Sequence, residues 1–306
     1  MAPCPRPQVE PLLHSMIEGL FSERLMPSGS VLDAGANDGE MAAFYACLDA
    51  SRVVHALEPS LSLYHALSRT AGRVRNIAPL RAGVSSTDQA LYTDEHGKSG
   101  ANRTLTMELI VSGKPSDPGF PVYRVDSLFA TGESASALFA GERVGFWHLD
   151  VEWHELEALR GAVATIRRDQ PIIATEVHVH WNRTYTYELT SFIHHTLGYA
   201  MYLVDEICGV RTDCRNLLCV PESRAGPLAS ASHTLQLALG SGSAKRVTPG
   251  SIFKHTPASV EQLFEARRRS GRDLTDVHVR RKRKAGPGDP MEVTAAQLAA
   301  ETAARL

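Results

Sequence analysis

An α/β fold with a doubly wound, mostly parallel sheet is predicted by three features of this chain. From Ser30 onward, short apolar runs alternate with helical periodicities. The first run breaks straight into a glycine turn, Asp33-Ala34-Gly35-Ala36-Asn37-Asp38-Gly39, and a helical pattern follows. The next run, Arg52 to Leu57, ends in Glu58-Pro59, roughly 20 positions beyond the turn. An acid at that place is where a nucleotide-binding α/β sheet grips a ribose diol.

The elements follow in order. Residues 8–26 set Val9, Leu12, Leu13, Met16, Ile17, Leu20 and Phe21 at helical spacing, which predicts an amphipathic helix. Strands are expected at 30–35, 52–58, 74–84, 144–150 and 171–178, with helices near 39–49, 60–70, 153–168 and 186–197. Residues 94–119, rich in Gly, Ser, Lys and Pro, read as a mobile loop, and 122–126 as a short strand. Residues 199–205 and 214–220 suit a closing antiparallel pair. The organisation is then an N-terminal helix (1–27), a sheet domain (28–221), a Ser, Ala, Gly and Pro-rich linker (222–260) and a poorly ordered basic tail (261–306).

Composition bounds the class. With 306 residues, 43% hydrophobic and 22% charged, the chain is of globular type, and its net charge of −2 gives no overall attraction to nucleic acid. No stretch approaches the roughly 20 apolar residues of a membrane span. Five cysteines without a tight framework favour reduced thiols and a cytoplasmic setting. The tail is the exception in charge. Arg267-Arg268-Arg269 and Arg280-Arg281-Lys282-Arg283-Lys284 have the spacing of a two-part nuclear-import signal or an RNA-touching arm, although a solvated tail is the plainer reading.

The turn selects among nucleoside cofactors. A dinucleotide fold wants G-x-G-x-x-G, because its pyrophosphate sits on the helix N-terminus. Here the middle glycine is replaced by Asn37. S-adenosylmethionine carries no phosphate, and its amino-acid end offers an ammonium and a carboxylate for an Asp side chain and turn amides. Asp33 and Glu58 therefore suit S-adenosylmethionine better than NAD. The plainer alternative is that Asp33 caps the helix and Gly35 only makes a tight turn.

A second block, Phe146 to Ala162, runs from a strand ending at Asp150 into a helix. Ligands of open α/β sheets bind beyond the carboxyl ends of strands, so Asp150, Glu152, Glu176 and His178 should line one crevice with Asp33 and Glu58. Taken together, Asp33 to Gly39, Glu58-Pro59, Val125-Asp126, Asp150-Val151-Glu152, His154 to Glu157, Gly161-Ala162 and Pro171 to Glu176 resemble the FkbM-type methyltransferases. The resemblance covers about residues 28–221. It implies a class I, seven-stranded methyltransferase fold that uses S-adenosylmethionine and methylates a hydroxyl of a sugar or small metabolite. By position it implies that Asp33, Gly35, Asn37 and Gly39 surround the methionine part, and that Glu58 takes the ribose. Ala82 and Gly83 would lie near the adenine, with Asp150 and Glu152 by the methyl group. The chain departs from the family in carrying His148 and Trp153 where a Lys and a Gly are usual.

Methyl transfer to a neutral hydroxyl needs alignment and a base. Asp150, Glu176 and His178 are the catalytic candidates, with His154 behind them; capping for Asp150 and a buried hydrogen bond for Glu176 are the structural alternatives. Glu176, His178 and His180 alternate along one strand face and could meet a divalent ion with Asp150, but no metal is assigned. Two other functions compete. One is a catalytically degenerate binding module with a basic tail; the other is an NAD-dependent oxidoreductase.

Overall fold

The computed structural model describes residues 4, 7, 9–91, 120–131, 138–179, 182–206, 208 and 214–254. Helix α1 (Pro11–Ser22) leads into strand β1 (Ser30–Ala34), then α2 (Glu40–Leu48), β2 (Val54–Leu57), α3 (Leu61–Ala71) and β3 (Ile77–Leu80). Strands β4 (Gly83–Val84), β5 (Gln89–Leu91) and β6 (Phe120–Tyr123) form a small separate sheet, followed by α4 (Val125–Leu128). The main sheet resumes with β7 (Val144–Leu149), α5 (Glu155–Arg160), α6 (Val163–Asp169), β8 (Ile172–His178) and α7 (Arg183–Ser191), which runs on into a π-turn over Phe192–Thr196. Strands β9 (Tyr199–Val204) and β10 (Cys214–Pro221), helices α8 (Glu222–Ala231) and α9 (His233–Ser241), and β11 (Ala244–Val247) close the described part.

The main sheet has the order β3-β2-β1-β7-β8-β10-β9-β11. Its first five strands are parallel, and β10 lies antiparallel between β8 and β9. Chain direction across the sheet reverses between β1 and β7, the switch point at which such sheets open a crevice. Strands β1, β2, β7 and β8 are buried along their whole length, as parallel strands covered on both faces must be. Alternation divides their side chains between two cores. Leu32, Ala34, Trp147, Leu149 and Ile173 pack on one face, and Val31, Phe146, Ile172 and Ala174 on the other, against α1 and α2.

Several expectations need correction. The main sheet has eight strands, not seven, because β11 adds antiparallel to β9. Residues 222–254 are therefore no linker: α8, α9 and β11 extend the domain, with Leu228, Leu235 and Ala244 in its core. Low hydrophobic periodicity concealed them. The helix expected at 153–168 is two helices broken at Gly161-Ala162, because the Asp126 carboxylate accepts the N–H groups of Ala164 and Thr165 and starts α6 afresh. The strand expected at 74–84 divides between the two sheets, and 122–126 ends in α4. Reduced thiols were expected throughout, yet Cys4–Cys47 and Cys208–Cys214 are disulfides, with Cys219 free and buried. The loop at 94–119 and the basic tail at 261–306 lie outside the described residues. Among the described residues, no helix is long and apolar enough to cross a membrane.

Candidate active site

The carboxyl ends of β1 and β7 lie side by side, in register Asp33 with His148. Asp33 is fully buried, and its Oδ1 lies 2.8 Å from His148 Nδ1. Its Oδ2 has no hydrogen-bond partner among the described residues. Burial opposes a charged imidazole at His148, but the bond to Asp33 and the charges of Asp33, Asp150 and Glu10 outweigh it and raise its pKa. The ring of Tyr45 on α2 leans on His148, with centroids 5.6 Å apart, and its buried hydroxyl also lacks a partner.

Glu58 closes the other side of the turn. Its Oε2 accepts the N–H of Asn37 (2.9 Å) and its Oε1 the N–H of Ser60 (2.8 Å). Burial, with help from the Asp33 charge, pushes its pKa up to about 7 against those two donors. Asn37 holds a left-handed backbone, φ 51°, that aims its N–H at Glu58. The two glycines serve the scaffold. A Cβ on Gly35 (φ 86°) would stand 1.7 Å from the Asp150 carbonyl oxygen, and one on Gly39 (φ 89°) 2.8 Å from Leu67 Cδ1. Gly35 thus lets the turns after β1 and β7 touch, and Gly39 lets α2 start against α3. Ala82 is wholly buried in the core, and Gly83 begins β4.

Beyond β7, Asp150 donates its N–H to Ala34 O (3.0 Å), while its Oδ1 has no partner. Burial, then the charges of Glu176, Glu152 and Glu10, lift its pKa well above the carboxylate range. Glu152 (φ 53°) and Trp153 (φ 76°) both adopt left-handed backbone, so residues 151–154 form a turn instead of the expected helix start. Glu155 holds that turn. Its Oε1 accepts the N–H groups of Val151 (3.3 Å) and Trp153 (3.1 Å), and its Oε2 accepts the Tyr185 hydroxyl (2.8 Å). The same hydroxyl accepts the N–H of Leu156 (3.2 Å). Burial pushes the Glu155 pKa up to about 7.

At the end of β8, His178 Nε2 lies 3.6 Å from Glu176 Oε2, and both residues are buried. The indole of Trp153 stacks flat on the His178 ring, with centroids 4.2 Å apart and planes 10° apart. On β10, Cys214 is in register with His178, and its Sγ lies 2.6 Å from Glu176 Oε1. His154 turns elsewhere, with Nε2 3.0 Å from Ser85 Oγ. Carboxylate oxygens of Asp150, Glu155 and Glu176 come within 4.8 Å of one another. Both Glu155 oxygens are occupied, however, and the cysteines beside Glu176 are bonded to each other, so no metal ligand set is assigned. His180 lies outside the described residues.

The structure places Asp33, Glu58, Asp150, Glu176 and His178 at the carboxyl ends of β1, β2, β7 and β8. Sequence reasoning gave no role to Glu155, Tyr45 or Glu10, and offered Tyr185 only as a stacking or packing ring. Glu155 had a signal in its place two residues after the expected helix start at 153; Glu10 had none, because only the tertiary fold carries it to His148.

A sheet whose parallel half carries an acid-flanked turn at its switch point, with further acids at the next two strand ends, has the Rossmann-like form of nucleoside-binding α/β proteins. The sequence matches the methyltransferase FkbM domain over residues 33–201, more than half of the chain. The chain belongs to the FkbM methyltransferase family, a class that uses S-adenosylmethionine as methyl donor. Among solved structures it is similar to an FkbM methyltransferase from Methylobacillus flagellatus KT, at 18% identity and a TM-score of 0.44, covering 63% of this chain and 43% of that one. The chain thus spans less than half the length of that relative. It is also similar to fibrillarin from Aeropyrum pernix with natively bound S-adenosyl-L-methionine (12% identity, TM-score 0.39, covering 68% and 73%). A precorrin-6y C5,15-methyltransferase from Geobacter metallireducens GS-15 is a third (9%, 0.37, covering 72% and 91%). No curated protein matches the sequence.

Proposed function

We propose that this protein transfers a methyl group from S-adenosylmethionine to a hydroxyl of a sugar or small metabolite. The observation that carries the cofactor assignment is the pair of buried carboxylate oxygens, Asp33 Oδ2 and Asp150 Oδ1, which flank the turn and have no partner among the described residues. Such oxygens are costly unless a donor or cation meets them, and a ligand with both an ammonium and a sulfonium supplies two cations. Asp33 and the turn amides would hold the amino-acid end, and Glu58 the ribose, each Glu58 oxygen keeping a lone pair free for a hydroxyl. When bound, the cofactor supplies an activated methyl group.

The chain's own residues do the rest. Burial and the charge of Glu176 on the adjacent strand end raise the proton affinity of Asp150, so Asp150 holds its proton in the ligand-free site. A positive charge entering beside Asp150 favours release of its proton. The carboxylates and His178 then stand where an acceptor hydroxyl needs a base. The buried walls keep water from competing.

A second reading, a binding module without turnover, is favoured by Trp153 in the place of the family glycine. One experiment separates the two. Purified protein is incubated with radiolabelled S-adenosylmethionine and fractionated metabolites. The transferase reading requires label in a hydroxylated product with matching S-adenosylhomocysteine. Tight cofactor binding with no labelled product across all fractions would favour the module.

A further inference from the structure

We propose that Trp153 is a positioning residue that fixes the imidazole of His178 at the acceptor side of the site. The inference rests on His178 facing the acceptor, as the proposed function has it. Three independent observations converge on it.

The first is the backbone. Glu152 and Trp153 are consecutive non-glycine residues in the left-handed region. That region is unfavourable for any residue with a Cβ and suits glycine. A bulky residue held in such a conformation needs a surrounding structure that over-determines it. The second is the clamp that does so. Glu155 accepts two N–H groups of this turn through one oxygen and Tyr185 through the other, and Tyr185 in turn bonds Leu156. The third is where the strained residue puts its ring. Trp153 covers one face of His178 at 4.2 Å and 10°, and Tyr185 stands against the outer part of the indole, with centroids 5.7 Å apart.

The consequence is geometric. His178 is the last residue of β8, and its carbonyl is fixed by the Thr186 hydroxyl (2.7 Å). Its ring would still rotate about the side-chain bonds. A flat indole on one face and Glu176 beside Nε2 leave one ring orientation and shield that face from water. A glycine at 153 leaves the face bare.

The test uses the full-length protein labelled with ¹⁵N-histidine, as wild type, Trp153→Phe and Trp153→Gly, with His178→Gln to assign the signals. Long-range ¹H–¹⁵N spectra report ring environment and tautomer without any acceptor. The expected result is a single, ring-current-shifted His178 signal set in wild type and Trp153→Phe. In Trp153→Gly that set moves to averaged, unshifted values, while cofactor affinity measured by calorimetry stays within twofold. Identical His178 spectra in wild type and Trp153→Gly would overturn the proposal, as would failure of Trp153→Phe to restore the wild-type spectrum. His178→Gln is tested separately for labelled product. Unchanged methyl transfer in that variant would remove the base assignment while leaving the spectroscopic result to stand or fall alone.

Discussion

Asp33 illustrates how one buried residue sets the demands on its neighbours. Its charge has no solvent, one imidazole partner, and one oxygen left over. The bond to Asp33 and the charges of the neighbouring acids raise the pKa of His148 and so favour its charged form beside Asp33. Replacing it by lysine should therefore be tolerated, whereas His148→Leu should cost about 3–5 kcal/mol by leaving a buried carboxylate unpaired. Chemical denaturation of both variants checks this; equal losses would show that the pair is packing and not electrostatics. Glu58 gives a pH signature. Its folded pKa of about 7 lies above the ordinary carboxylate value, so folding takes up a proton. Its contribution to stability is full below pH 4.5 and is lost as pH rises through 7. Glu58→Gln should thus raise the melting temperature of the ligand-free protein at pH 8 by a few degrees. Cofactor binding, which uses the ionised form, should strengthen up to about tenfold per pH unit below 7 and level off above it. A flat affinity profile from pH 5.5 to 8.5 would contradict the assignment. These residues were legible in the sequence because each sits at a strand end of obvious pattern. Their partners were not, because Asp33–His148 spans 115 positions and Glu155–Tyr185 spans 30.

Turns and helices show where local reading succeeds and where it stops. The glycine turn was read as a ligand cradle, yet Gly35 is fixed by contact with the Asp150 carbonyl from another strand. Gly35→Ala should cost about 3 kcal/mol or more, combining a left-handed backbone with backbone overlap. A loss under 0.5 kcal/mol in urea unfolding would show that the two turns part easily. Apolar runs such as Val31 to Ala34 and Ile172 to Val177 announced buried strands. The break between α5 and α6 had no such announcement, since its cause is a carboxylate from 38 positions earlier.

For the whole molecule, the C-terminal elements change where the domain ends. Strand β9 is flanked by β11, so a chain stopped after Pro221 would bare its edge and the apolar faces that α8 and α9 cover. Such a truncation should aggregate or melt well below the longer chain. A soluble truncation with an unchanged melting temperature would restore the linker reading. The sequence concealed this region because its helices are short and small-residue-rich, and its strand Ala244-Lys245-Arg246-Val247 alternates over only four residues. The disulfides were hidden for a related reason, since pairing follows from the fold and not from spacing.

The most direct test of the central claim is titration calorimetry with S-adenosylmethionine and NAD on wild type and Glu58→Ala at pH 8. The account predicts one S-adenosylmethionine site in the wild type and no NAD heat. It also predicts at least a tenfold loss in the variant, on the scale of about 1.5–3 kcal/mol for hydrogen bonds to a charged group. Tighter binding of NAD, or full S-adenosylmethionine affinity without the Glu58 carboxylate, would contradict it.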